Sequence, residues 1–215
     1  MSFRVALTFD AEHPDRPAGE GNAERLLDVL VAAGIRATFF VQGRWAEAYP
    51  GTARRVAREG HLVGSHSHYH ARMPLLTAWG LRSDVRDAEA ALVEHAGVDP
   101  RPWFRCPFGA GGDDPLIIGR LEALGYREVG WNVTAEDWEP KRSAADVTRS
   151  VVGGALRRGD GTVVLQHTWP DQTLAALPEI VARLRDDGAT FVGVDALDPL
   201  PADLTKHSLT SDDGA

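Results

Sequence analysis

Apolar residues occur along the chain in short runs that alternate with longer amphipathic stretches. Arg4–Phe9 is a β-prone run. It precedes Ala23–Ala33, where Leu26, Leu27 and Leu30 recur at helical spacing, with Asn22 placed to cap the helix and Gly34 to end it. The alternation then repeats. Ala37–Val41 predicts a second strand, followed by a helix over Trp45–Glu59 broken at Pro50. Leu62–Ser65 predicts a third strand, and Thr77–Ala96 a helix with Leu81, Val85, Ala88 and Leu92 on one face. A fourth strand, Pro102–Arg105, precedes a helix over Pro115–Leu124 that Gly125 ends. Glu128–Trp131 predicts a fifth strand, and Ala144–Arg158 a helix capped by Ser143. Thr162–Gln166 predicts a sixth, Gln172–Asp186 a helix carrying Pro178, and Thr190–Val194 a seventh strand.

Seven β-runs separated by helices predict parallel strands in an α/β fold. Periodicity alone does not separate a closed barrel from an open doubly wound sheet. Residues 1–199 read as one domain and 200–215 as a polar tail expected to fray.

Composition narrows the function classes. The 215 residues are 43% hydrophobic and 25% charged, enough for one domain with a full core. The formal charge is −8 with no basic run, so nucleic acid and anionic membranes are not expected partners. The single cysteine, Cys106, excludes an internal disulfide. No stretch approaches the ~20 apolar residues of a membrane span. The N-terminus lacks a leader pattern, so a cytoplasmic location is expected. The oligomeric state is not legible.

The informative feature is where polar residues fall. Asp10 and Glu12 follow the first strand, His66, His68 and His70 the third, and Arg105 ends the fourth. Asp137 lies after the fifth, and His167 ends the sixth. In parallel α/β folds the strand C-termini open on one face, where active sites are built. Histidines at i and i+4, as His66 and His70 on a helical turn, can grip one divalent metal, and imidazole with carboxylate suits zinc. Three histidines in a surface loop are the bland alternative. Asp10 and Glu12 offer one carboxylate for a metal and one as a base, against a capping Asp in a solvated loop. Arg105 can hold Asp10 ionised or be a surface salt bridge. Trp138, beside Asp137, can stack on a sugar or pack in the core. His167 can serve as an acid or be a satisfied core histidine. Cys106 is a weak candidate nucleophile, and GAGG at Gly109–Gly112 lacks the lysine of a phosphate loop.

Five segments in order resemble the polysaccharide deacetylases, carbohydrate esterase family four, with its nodulation-factor deacetylase homology domain. LTFDAE resembles that family's Thr-Phe-Asp-Asp motif, and GHLVGSHSHYH its metal-binding His-Ser/Thr-x-x-His motif. RCPFG resembles Arg-x-Pro-Tyr-Gly, GWNVTAEDW the fourth motif, and VVLQH the fifth. The resemblance runs from about Val5 to His167 and on toward Val194. It implies a distorted (β/α)7 barrel with one divalent metal, usually zinc. It also implies a hydrolase that removes an N-acetyl or small acyl group from an amino sugar, oligosaccharide or related amide. Carried over, Asp10 resembles the base, His66 and His70 the metal histidines, Arg105 the residue that orients the base, and the Phe108 amide an oxyanion donor. Asp137 resembles the partner of His167, His167 the general acid, and Trp138 a groove wall.

Three departures stand out. Ala11 replaces the second aspartate of the first motif, so Glu12, or else His13, must supply the third metal ligand. Phe108 replaces the usual tyrosine. Thr168-Trp169-Pro170 follows His167 where an aspartate is common. The altered first motif keeps two alternatives open: hydrolysis of other C–N bonds such as cyclic ureides and imides, and a non-catalytic sugar-binding relic.

Overall fold

The computed structural model describes residues 2–15, 21–202 and 204. Among these residues eight parallel strands form one curled sheet: β1 (Phe3–Ala11), β2 (Thr38–Val41), β3 (Leu62–Ser65), β4 (Trp103–Phe104), β5 (Arg127–Glu128), β6 (Val133–Thr134), β7 (Thr162–His167) and β8 (Ala189–Phe191). The order is β5-β4-β3-β2-β1-β7-β6, with β8 paired to β1. β1 is central. It pairs with β7 from Val5 to Asp10. It meets β2 from Thr8 to Ala11 and β8 from Phe3 to Val5. The Val5 and Ala11 carbonyls accept from Val192 and Gln42, so β8 and β2 share one edge of β1. Among the described residues seven α-helices surround the sheet: α1 (Asn22–Ala32), α2 (Gly43–Ala48), α3 (Pro50–Arg58), α4 (Ala78–His95), α5 (Pro115–Glu122), α6 (Ala144–Arg158) and α7 (Asp171–Asp186). This is the distorted (β/α)7 barrel expected, open between β5 and β6, which do not pair among the described residues.

Strand side chains alternate between two cores. Val5, Leu7 and Phe9 pack outward against Leu26, Leu30, Leu177 and Ile180 of α1 and α7. Ala6 joins Phe40, Trp103, Trp131, Val163 and Leu165 inside the barrel. The same period of two aims Asp10, Arg105 and His167 inward at the C-terminal rim. Burial of both sheet faces is why the strands read as continuous apolar runs.

Several local expectations change. The predicted fifth strand divides into β5 and β6. Val129 still donates to the Phe104 carbonyl and Asn132 to that of Val163, but the intervening Val129 and Gly130 carbonyls accept from the Arg105 guanidinium instead of a neighbouring strand. That division makes the strand count eight, and of the seventh run only Thr190 and Phe191 are strand, in β8 (Ala189–Phe191). Asn22 does not cap α1; its amide donates to Trp169 O at 3.0 Å and Asp171 Oδ1 at 2.7 Å. Pro50 does break its helix, standing at the first turn of α3 where a missing N–H costs nothing. Ser143 caps α6 in a reciprocal box with Asp146. Most of the expected polar tail lies outside the described residues. Among the described residues no helix is long and apolar enough to cross a membrane.

Candidate metal and hydrolytic site

At the C-terminal rim a cavity of about 290 Å³ opens, lined by Asp10, Glu12, His66, His70, Phe108, Trp138 and His167 among others. His66 and His70 meet there, but not on a helical turn. Residues 66–70 form a bent loop in which Ser67 (φ 62°) and His70 (φ 58°) are left-handed. The Ser67 hydroxyl accepts from the His70 amide at 2.9 Å, and Asp84 of α4 accepts from the amides of His68 and Tyr69. Those bonds offset the cost of a non-glycine left-handed backbone, a conformation concentrated at functional sites. His68 turns away from the cavity toward Glu47, 3.8 Å off.

The His66 and His70 Nε2 atoms lie 3.2 Å apart. Glu12 Oε2 is 3.2 Å from the first and 2.5 Å from the second. Of the two candidates for third ligand, Glu12 stands in this group. His13 lies behind it, with Nε2 3.2 Å from the other oxygen, Oε1. His66 Nδ1 donates to the Arg105 carbonyl at 2.9 Å, so its Nε2 carries a lone pair toward the centre. The donor set fits a divalent ion: two imidazoles and a carboxylate, all buried, within 4.8 Å of one another. A tetrahedral zinc with ~2.0–2.1 Å bonds spaces its ligands by roughly 3.4 Å, close to two of these three separations.

Electrostatics agree with that chemistry. Burial alone would raise the Glu12 carboxyl, but bonds from His13, His66 and His70 hold it well below the usual carboxylate range. Burial pushes His70 down, toward the neutral imidazole a metal needs. Burial opposes charge on His66 too, but Asp10 and Glu12 outweigh it and raise its pKa. A cation in the cluster would answer the same negative field.

Two carboxylates sit behind this centre, each with its own partner. Asp10 Oδ1 accepts from Arg105 Nη1 at 2.9 Å, while Oδ2 lies 3.6 Å from His66 Nε2. Arg105 is no surface salt bridge. It is 0% exposed, also donates to Thr8 Oγ1 and the Val129 and Gly130 carbonyls, and stacks 4.1 Å over the Phe40 ring. Asp137, fully buried, accepts from His167 Nδ1 at 2.8 Å, from the His167 amide at 2.7 Å and from the Thr173 hydroxyl at 2.6 Å. Burial works against a charged His167, but Asp137, with Glu12 and Asp10, raises it to about 9. With Nδ1 donating to Asp137, its Nε2 is the nitrogen free to face the cavity.

Phe108 sits left-handed (φ 58°) in the 3-10 turn Pro107–Gly109. Proline has no amide, so the Phe108 N–H is the first of that turn, and first amides lack an intrahelical acceptor. The Phe108 ring packs 4.5 Å from that of His70, with Arg72 4.3 Å above it. Trp138 stands edge-on to His167 at 5.4 Å and is half-buried rather than freely exposed. Cys106 lines the cavity floor, but burial raises its thiol well above the ordinary value, which removes the thiolate a nucleophile needs. Trp169, Trp131 and Arg72 also line the cavity, beyond the residues expected from the sequence. Only Trp169 carried a signal, as a departure after His167.

A family model described as "Polysaccharide deacetylase" matches residues 2–129. The chain is 33% identical to a peptidoglycan-N-acetylglucosamine deacetylase, PgdA, of Listeria monocytogenes over 90% of its length, but spans only 38% of that relative. A solved structure titled as T48 deacetylase with substrate is 35% identical with TM-score 0.77, covering 93% of this chain and 92% of that one. A family 4 carbohydrate esterase from Streptomyces lividans, solved with acetate, is 32% identical with TM-score 0.75, covering 88% and 91%.

Proposed function

The chain belongs to the polysaccharide deacetylase family, and from that premise we propose that it is a metal-dependent hydrolase that removes an N-acetyl or similar small acyl group from an amino sugar or oligosaccharide. The observation that carries the reading is the convergence of Glu12, His66 and His70 beside Asp10 and His167 in one cavity. Glu12, His66 and His70 would hold a divalent metal, zinc in our reading, which when bound polarises the acyl carbonyl and acidifies water.

The protein's own groups supply the remaining steps. Asp10, fixed through Oδ1 by Arg105, takes a proton from the attacking water at Oδ2. The Phe108 amide donates to the oxygen that gains charge as the carbonyl carbon becomes tetrahedral. His167 enters as the imidazolium and gives its Nε2 proton to the leaving nitrogen as the C–N bond breaks. The products are a carboxylate and a free amine. Trp138 and Phe108 wall the cavity and offer apolar faces to a sugar ring.

The test is release of acetate from N-acetylglucosamine oligomers and from small amides. Wild-type protein should release acetate from the oligomers, and Asp10→Asn should fall by roughly 10²–10⁴-fold with bound metal retained. Undiminished turnover in Asp10→Asn would overturn the assignment. Cleavage confined to small cyclic amides would favour the other C–N hydrolases.

A further inference from the structure

Two of the three departures from the family's motifs are neighbours in space. β1 and β7 run in parallel register with Asp10 opposite His167, and the Thr168 amide donates to the Asp10 carbonyl at 3.1 Å. Glu12 and Trp169 therefore leave their strands side by side. The indole Nε1 of Trp169 donates to Glu12 Oε1 at 3.4 Å. His13 Nε2 approaches the same oxygen at 3.2 Å. His167 Nε2 lies farther from Oε1, at 3.8 Å, whereas Oε2 lies 3.2 Å from His66 Nε2 and 2.5 Å from His70 Nε2.

We propose that Trp169, with His13, is a positioning device that replaces what the first motif loses at Ala11: it occupies one oxygen of Glu12 and turns the other to the metal. The inference rests on the metal-site reading above. Its physical basis is side-chain freedom. Glutamate has one more rotatable bond than aspartate, so a ligand moved one residue along and lengthened is less well fixed. Donors on the non-ligating oxygen restore the fix, as outer-shell partners do in metal sites generally. An indole suits the task because it is a donor only and never competes for the ion.

Both donors are themselves held. The Trp169 carbonyl accepts from Asn22 at 3.0 Å, and the same Asn22 amide donates to Asp171 at the start of α7. His13 is left-handed (φ 53°), and its amide donates to Gln42 Oε1 at 2.9 Å. The Asn22 that does not cap α1 is, on this account, an anchor for the segment that carries the indole.

Zinc affinity of metal-stripped protein, read by competition with a chromophoric chelator, tests this, together with the visible spectrum of the cobalt-loaded form. Trp169→Phe keeps the ring and deletes the donor. It should weaken zinc binding roughly ten- to hundred-fold, alter the cobalt spectrum and leave the melting temperature of the metal-free protein unchanged. Trp169→His, which can return a ring N–H, should recover part of the affinity. In an Ala11→Asp, Glu12→Ala background, where the ligand returns to its usual position, Trp169→Phe should cost nothing. Wild-type affinity and spectrum in Trp169→Phe overturn the inference and leave the hydrolase reading standing. An equal loss in both backgrounds also overturns it, since the indole would then act through general packing. A wild-type protein that binds no zinc overturns both.

Discussion

The two halves of the rim each pair a buried carboxylate with a cation, and they differ in one respect. On the β1–β4 side, Asp10 faces Arg105, whose charge is permanent. On the β6–β7 side, Asp137 faces His167, a titratable cation whose pKa is raised to about 9. A guanidinium partner keeps its own charge whatever the working pH. An acid must give up a proton and recover it, which only a titratable partner can do. In the proposed mechanism the same two-residue pattern serves as a base on one side and an acid on the other. The choice of cation decides which.

That contrast can be broken from either side. The largest effect should come from Arg105→Ala. It strands Asp10 and two backbone carbonyls in a dry interior. A loss of about 3–5 kcal/mol is expected in chemical denaturation, with no activity remaining. Retention of near-wild-type stability would mean that Asp10 is not held by this cation.

Asp137→Asn should act next, and on the other half alone. Without the carboxylate, the His167 titration falls from about 9 toward the ordinary imidazole range. The alkaline limb of the pH dependence of kcat should move down with it, while the acidic limb stays in place. Stability follows the same sign. His167 titrates higher folded than unfolded, so the pair stabilises fully below about pH 6.5 and loses its contribution as pH rises through about 9. The stability gap between wild type and Asp137→Asn should therefore shrink between pH 6 and pH 9.5. A gap that widens would contradict the assignment of charge to His167.

The smallest effect sharpens the first half. Thr8 donates to the Val164 carbonyl and accepts from Arg105. Thr8→Val should cost about 1–2 kcal/mol and leave the pH profile of activity unmoved.

The site was legible in the sequence wherever a strand end and a residue type coincided. Asp10, Arg105 and His167 each stand on the inward parity at a strand terminus, and period-two counting reaches them. His66 and His70 were legible as a pair, but their turn was not. Left-handed Ser67 and His70 depend on Asp84, which lies far along the chain on α4. The split of the fifth strand was hidden because a side chain just past β4, Arg105, takes its carbonyls. Asn22 had the right type and place for a cap, and a tertiary bond to the Trp169 segment claimed it. Trp169 was visible only as an anomaly after His167; the parallel register of β1 and β7 gives that anomaly a partner in Glu12. Local rules located the elements, and long-range bonds decided the exceptions.

The most direct measurement is anomalous diffraction at the zinc edge from crystals of metal-loaded protein. The account predicts one strong peak bonded to Glu12 Oε2, His66 Nε2 and His70 Nε2, with Trp169 still on Glu12 Oε1. A peak ligated by His13 in place of Glu12, or no peak at the rim at saturating zinc, would contradict it.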